Sequence, residues 1–146
     1  MLIFCSAPFL QAFAFVVDAL AERCAQLHPD KIAGIEARGF IIGAAVAYKL
    51  GLGFIPIRKP GKLPYKSERV SYDLEDGTDS LEIHVDAAHT CRVVLIDDLL
   101  ATGGTANAAI QLIEKVGGEV VGVGFAIELD FLKGRSKLPA NANVFS

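Results

Sequence analysis

The sequence predicts an α/β domain: a mainly parallel sheet flanked by helices, with an antiparallel hairpin inserted between two core strands. Three observations carry this. Val93-Val94-Leu95-Ile96 is a short apolar run rich in β-branched residues, the pattern of a strand buried on both faces, and a glycine-rich loop and a helical pattern follow it. Further apolar runs at 31–37, 53–58 and 119–127 alternate with helical patterns, the order that builds a parallel sheet through helical crossovers. Residues 68–74 and 80–85 alternate apolar and polar, with Gly77 in the turn between them, which reads as a hairpin.

Taken in order, residues 1–8 show no clear pattern. From 9 to 27, Phe13, Val16, Val17, Leu20, Ala21, Cys24 and Leu27 recur at helical spacing, with Asp18, Glu22 and Arg23 opposite. His28-Pro29-Asp30 ends that helix. After the 31–37 strand, residues 39–50 form a helix whose Gly43, Ala44, Ala45 and Ala47 permit close packing on a sheet or on a second subunit. Beyond the 53–58 strand, Pro60, Gly61 and Pro64 exclude regular structure over 59–67. The hairpin that follows is a long excursion between core strands, which suits a lid. Residues 86–91 connect it to the 93–96 strand. A helix over 104–116 buries Ala108, Ala109, Leu112, Ile113 and Val116, and Gly117-Gly118 stops it. After the strand at 119–127, residues 130–137 form a short helix and the tail is unassigned.

Composition narrows the function. With 146 residues, 52% of them hydrophobic, the chain reads as a single domain over 1–146 with its own core. A net charge of −3 gives no broad basic surface for nucleic acid. Three cysteines, Cys5, Cys24 and Cys91, lack metal-ligand spacing and fit reduced thiols in the cytoplasm. The apolar stretch over 1–20 has no preceding Lys or Arg and is broken by Pro8 and Gln11, so neither a secretory signal nor a membrane span is expected. His28, His84 and His89 have no metal-like arrangement and read as structural.

The chemistry concentrates after the 93–96 strand, in Asp97-Asp98-Leu99-Leu100-Ala101-Thr102-Gly103-Gly104-Thr105. Amides of a glycine-rich loop and the first free N–H groups of a helix converge on an anion. Gly103 and Gly104 allow close backbone approach, and Thr102 and Thr105 add hydroxyl donors. Carboxylates repel phosphate, so Asp97 and Asp98 suit diol hydroxyls or a hydrated Mg²⁺. A ribose 5-phosphate satisfies both halves, with its phosphate on 101–105 and its diol on the acids. Elsewhere, Arg38 at a strand end beside free amides is either a diphosphate clamp or a surface residue in a turn. Arg58, Lys59, Lys62, Lys66 and Arg69 fall in one segment, either a solvated loop or diphosphate contacts.

Residues 94–105 resemble the phosphoribosyl diphosphate (PRPP) motif of the type I phosphoribosyltransferases. Gly34-Ile35-Glu36-Ala37-Arg38-Gly39-Phe40, Arg58-Lys59-Pro60-Gly61-Lys62-Leu63-Pro64, Tyr72-Asp73-Leu74-Glu75 and Leu81-Glu82-Ile83-His84 are similar to the adenine-specific branch in order and spacing, over about residues 28–138. The resemblance implies the type I phosphoribosyltransferase fold and a reversible reaction of adenine with PRPP giving AMP and diphosphate. It implies Arg38, Lys59 and the lid acid Glu75 as catalytic residues. It implies Asp97, Asp98, Ala101, Thr102, Gly103, Gly104, Thr105, Arg58 and Lys62 as contacts of PRPP and AMP. Leu99 would pack on one face of adenine and Phe4 would stack on the other. Mg²⁺ would arrive on PRPP, and a cytoplasmic homodimer is implied, with no membrane partner.

The chain departs from the family pattern at Phe4-Cys5-Ser6, where Phe-x-Asp is usual, at Asp76, where Tyr usually follows the lid acid, and at 89–91, which is one residue short. It begins almost at Phe4, so a shortened N-terminal base-binding segment is expected. Two other readings use the same motifs: a non-catalytic PRPP- or AMP-binding protein on this fold, and a phosphoribosyltransferase for another purine base.

Overall fold

The computed structural model describes residues 7–74 and 77–146. Five strands form one sheet in the order β2-β1-β5-β6-β7, every pair parallel. They are β1 (Lys31–Ile35), β2 (Gly53–Ile57), β5 (Arg92–Leu100), β6 (Glu119–Glu128) and β7 (Val144–Phe145). A separate antiparallel ribbon pairs β3 (Ser67–Leu74) with β4 (Gly77–His84). The helices are α1 (Ala7–Gln26), α2 (Arg38–Leu50) and α3 (Gly104–Lys115). Among the described residues no helix is long and apolar enough to cross a membrane.

The period of two along each strand sorts side chains to two cores. Ile32, Val94 and Ile96 face Val17, Leu20 and Cys24 of α1 and Ile42 and Val46 of α2. Ala33, Val93 and Leu95 face the other way, onto Leu112 and Ile113 of α3 and Leu81 and Ile83 of the ribbon. Helices therefore cover both faces, as a parallel sheet requires. Helix α2 ends in a Schellman turn: Gly51 is left-handed at φ 67, Gly51 N–H donates to the Tyr48 carbonyl at 3.1 Å and Leu52 N–H to Ala47 at 2.9 Å.

Several boundaries differ from the sequence expectation. Strand β5 runs on to Leu100, so the acidic pair lies inside the strand rather than beyond it, because its pairing with β6 continues to Leu100↔Glu128. Strand β1 stops at Ile35 rather than at 37, and Arg38 already belongs to α2. Gly77 opens β4 instead of occupying the turn, since Leu74↔Gly77 is the last pair of the ribbon. Residues 130–137 are two 3₁₀ segments, Asp130–Leu132 and Gly134–Lys137, with Lys133 left-handed between them. The tail supplies β7, whose Phe145 is buried.

The ribbon is anchored at its root and open at its tip. Leu81 and Ile83 are fully buried, whereas Leu74 is exposed. Arg58 and Glu82 exchange backbone hydrogen bonds of 2.9 and 2.8 Å, which tie the ribbon to the end of β2. Arg69 Nε donates to Glu82 Oε1 at 2.9 Å.

Candidate active site at the strand ends

The chain winds from β1 outward to β2 in one direction and from β5 outward to β6 and β7 in the other. The crevice at such a reversal, at the carboxyl ends of the strands, is where ligands bind in open α/β sheets. A cavity of about 370 Å³ opens there. Arg38 enters it from the start of α2, Lys59 from just beyond β2, and Tyr72 and Asp79 from the ribbon. Asp97, Asp98 and Leu99 come from the end of β5, and Ala101, Thr102, Gly103 and Thr105 from the loop and first turn of α3.

Local geometry suits the loop to cradle an anion. Gly103 is the residue before α3 and holds φ 84, a left-handed conformation that glycine adopts without a Cβ penalty. Asn107 N–H takes the Gly103 carbonyl at 2.9 Å as the first helical bond, so the amides before it have no partner within the helix. The cradle is backed by the Gly134–Lys137 segment.

The acids differ in environment. Asp98 pairs with Arg38 across the mouth of the cavity. Asp97 lies deeper, and its Oδ1 accepts the Asp98 N–H at 2.9 Å. Burial pushes the Asp97 carboxyl up to about 7, and the neighbouring Asp98 charge adds to the effect. A Cβ on Gly39 would stand 2.7 Å from Asp97 Oδ1, so the glycine after Arg38 leaves room for this carboxylate at the start of α2.

The cations fall into two sets. Lys59 reaches into the cavity and pairs with Asp79. Arg58 and Lys62 sit outside the cavity wall, both on Glu36. Glu36 Oε2 also accepts the Lys59 N–H at 2.9 Å and Arg58 Nε at 3.3 Å. Burial of Glu36 would raise its carboxyl, but donors from Lys62, the Lys59 amide and Arg58 outweigh it and hold the group at about 2.

Of the residues singled out in the sequence, Arg38, Lys59, Asp97, Asp98, Leu99, Ala101, Thr102, Gly103 and Thr105 converge on one cavity. Gly104 starts α3 between two lining residues, Gly103 and Thr105, with the ribbon beside it: a Cβ there would lie 3.6 Å from the Asp73 carbonyl oxygen. Glu75 and Phe4 lie outside the described residues. Sequence reasoning missed Glu36, Tyr72 and Asp79 as wall residues. The signal for the last two was the hairpin register, which sets Tyr72 directly opposite Asp79 and so on one face of the ribbon. Among the described residues, no group of three or more His, Cys, Asp and Glu side chains is arranged to hold a metal ion.

Comparison with known proteins agrees with this geometry. The phosphoribosyl transferase domain model matches residues 9–145. An adenine phosphoribosyltransferase of Acidobacterium capsulatum is 56% identical over 137 residues, covering 93% of this chain and 75% of that protein. The crystal structure of adenine phosphoribosyltransferase from Thermoanaerobacter pseudethanolicus superposes with a TM-score of 0.90 at 50% identity, covering 94% of this chain and 80% of that one. The Saccharomyces cerevisiae enzyme, solved with an imino-altritol bisphosphate and adenine, gives 0.87 at 41% identity, covering 99% and 82%. With a matched domain across nearly its whole length and relatives more than half identical to it, the chain belongs to the phosphoribosyltransferase family, in its adenine phosphoribosyltransferase branch.

Proposed function

We propose that this cavity transfers the ribosyl 5-phosphate group of PRPP to adenine, giving AMP and diphosphate, as a step of purine salvage. One observation carries the assignment of roles: a single cavity joins an anion-binding glycine loop, a carboxylate pair, and two cations, Arg38 and Lys59, from separate elements. As the bond from ribose C1 to diphosphate lengthens, the bond from an adenine ring nitrogen forms. Arg38 and Lys59 neutralise the departing diphosphate, and Arg58 and Lys62 add positive potential from behind it. Asp97 and Asp98 hold the ribose diol and place negative potential near the cationic ribosyl centre. Ala101, Thr102, Gly103, Gly104 and Thr105 grip the 5′-phosphate, so binding remote from the reaction orients C1.

Leu99 packs on one face of the adenine, with Phe4 on the other. Glu75, in the two-residue link between β3 and β4, handles the proton on the base. Mg²⁺ enters as part of the substrate, on the diphosphate of PRPP. Ile41 and Tyr48, seven residues apart, set two exposed apolar side chains on one face of α2, and this face is the proposed contact of a homodimer. Cys24 and Cys91 are free thiols, which suits the reducing cytoplasm, where we place the reaction.

Diphosphate release from PRPP, measured with adenine, hypoxanthine, guanine or no base, tests the reading. Release that depends on adenine is expected. Release with another base alone would reassign the specificity, and PRPP binding without release would make the chain a binding protein. Glu75→Gln lowers turnover with PRPP affinity little changed; undiminished turnover would remove the acid from its role.

A further inference from the structure

We propose that Asp79 is a positioning residue of this reaction: with the Tyr72 hydroxyl, it holds the Lys59 ammonium on the cavity wall, facing the diphosphate that PRPP brings. The inference rests on the reading of this cavity as the PRPP site.

A lysine ammonium on a four-carbon stem is mobile unless something holds both its ends. Here both are held. The Lys59 backbone N–H donates to Glu36 Oε2 at 2.9 Å, and the ammonium meets the Asp79 carboxylate. Asp79 is itself fixed, since its Oδ1 accepts the Ser80 N–H at 2.8 Å. The Tyr72 hydroxyl lies 3.5 Å from Lys59 Nζ, 3.4 Å from Asp79 Oδ2 and 3.4 Å from Thr105 Oγ1. It therefore touches the diphosphate cation, its holder and the 5′-phosphate loop together. The Tyr72 ring centroid is 6.0 Å from the ammonium.

A carboxylate in the wall of a polyanion site is repulsive unless a cation neutralises it. Asp79 does have that cation, and the pair can hand Lys59 to the incoming diphosphate over a short movement. The ribbon does not need Asp79 as a tie, because Ser71 Oγ and Ser80 Oγ already bridge it at 2.8 Å. The charged and titratable groups around Lys59 are Asp79 from β4, Tyr72 from β3 and Glu36 after β1; Arg38, Asp97 and Asp98 line the same cavity. Burial alone would lower the Lys59 ammonium, and Asp79 holds it above its ordinary value.

The test is steady-state kinetics of the full chain in both directions, with calorimetry of AMP. Asp79→Asn should raise KM for PRPP and for diphosphate about tenfold, the scale of losing one charge-assisted hydrogen bond. KM for adenine and affinity for AMP, which lack the diphosphate, should hold. The basic limb of the PRPP KM profile should move to lower pH, because Lys59 loses the anion that keeps it charged. Asp79→Glu should recover most of the effect. In a Lys59→Met background, where Asp79 has lost the cation that neutralises it, Asp79→Asn should cause no further loss and should instead relieve repulsion of PRPP; the double variant leaves neither charge of the pair without its partner and so tests the coupling even if the single variant folds poorly. An unmoved PRPP KM, a parallel loss of AMP affinity, or a further loss in the Lys59→Met background would overturn the inference. Wild-type protein without adenine-dependent turnover would instead remove the underlying reading, and this inference with it.

Discussion

Gly103 and Gly134 meet backbone to backbone beneath the 101–105 loop: a Cβ on Gly103 would collide with the Gly134 carbonyl oxygen, and one on Gly134 with the carbonyl oxygen of Ala101. The 3₁₀ segment that carries Gly134 is fastened from outside. Arg135 holds Glu128 through a two-pronged pair, with Nε to Oε1 at 2.7 Å and Nη2 to Oε2 at 2.6 Å, and donates to the Val144 carbonyl at 3.0 Å. The loop's shape thus depends on a segment some thirty residues later in the chain, which does not itself line the cavity.

Gly134→Ala should therefore act on the phosphate site from behind. The added methyl meets backbone that cannot swing aside, an overpacking that costs about 1–3 kcal/mol. Displacement of Ala101 should weaken AMP roughly tenfold, about 1.4 kcal/mol, with adenine KM little changed. Denaturant unfolding and calorimetry check both halves. A variant of undiminished stability and AMP affinity would show that the two glycines are close without being coupled.

This coupling marks the limit of what the sequence made legible. The parallel sheet, the hairpin, the β5 loop and the convergence of Arg38, Lys59 and Asp97 could all be read from apolar runs, glycines and charge, because strand ends of an α/β sheet meet at one edge. Contacts set by tertiary packing could not. Arg58 and Lys62 look identical to Lys59 in a basic segment, yet Glu36 draws both aside and leaves Lys59 in the cavity. Gly134 sits in a stretch with no periodicity, and its role depends on the loop that lies above it. Val144–Phe145 is too short to announce a strand; its pairing with Val123 and Gly124 makes it one.

Asp97 predicts a pH-dependent trade between stability and binding. Its carboxyl stands near 7 in the folded protein against an ordinary 3.8, so the folded chain binds a proton that the unfolded chain releases over that interval. Stability from this group is present below about 3.8 and is lost as pH rises through 7. Asp97→Asn removes the charge and keeps an acceptor for the Asp98 N–H. It should be more stable than wild type at pH 8 by on the order of 2–4 kcal/mol, with the gap shrinking toward pH 4–5. It should bind PRPP more weakly, since a neutral amide accepts the diol less well than a carboxylate. Urea unfolding of both proteins at the two pH values reads the first effect; a gap that does not change with pH would mean that Asp97 is not buried as a charge.

Glu36 predicts the opposite dependence. Its carboxyl is held at about 2, below the ordinary 4.5, so its stabilising contribution is complete above 4.5 and disappears as pH falls toward 2. Glu36→Gln should cost on the order of 1–3 kcal/mol at pH 7, because Arg58, Lys62 and the Lys59 amide lose a charged acceptor. The variant should also show a shallower decline in stability than wild type between pH 4.5 and 2, where only the wild type has this carboxylate to protonate. With the 58–62 segment released, Lys59 loses one of its two anchors, so KM for PRPP should rise while affinity for AMP holds. Acid titration of stability followed by PRPP kinetics measures both. Parallel acid unfolding of the two proteins would show that Arg58 and Lys62 lie on Glu36 without stabilising it.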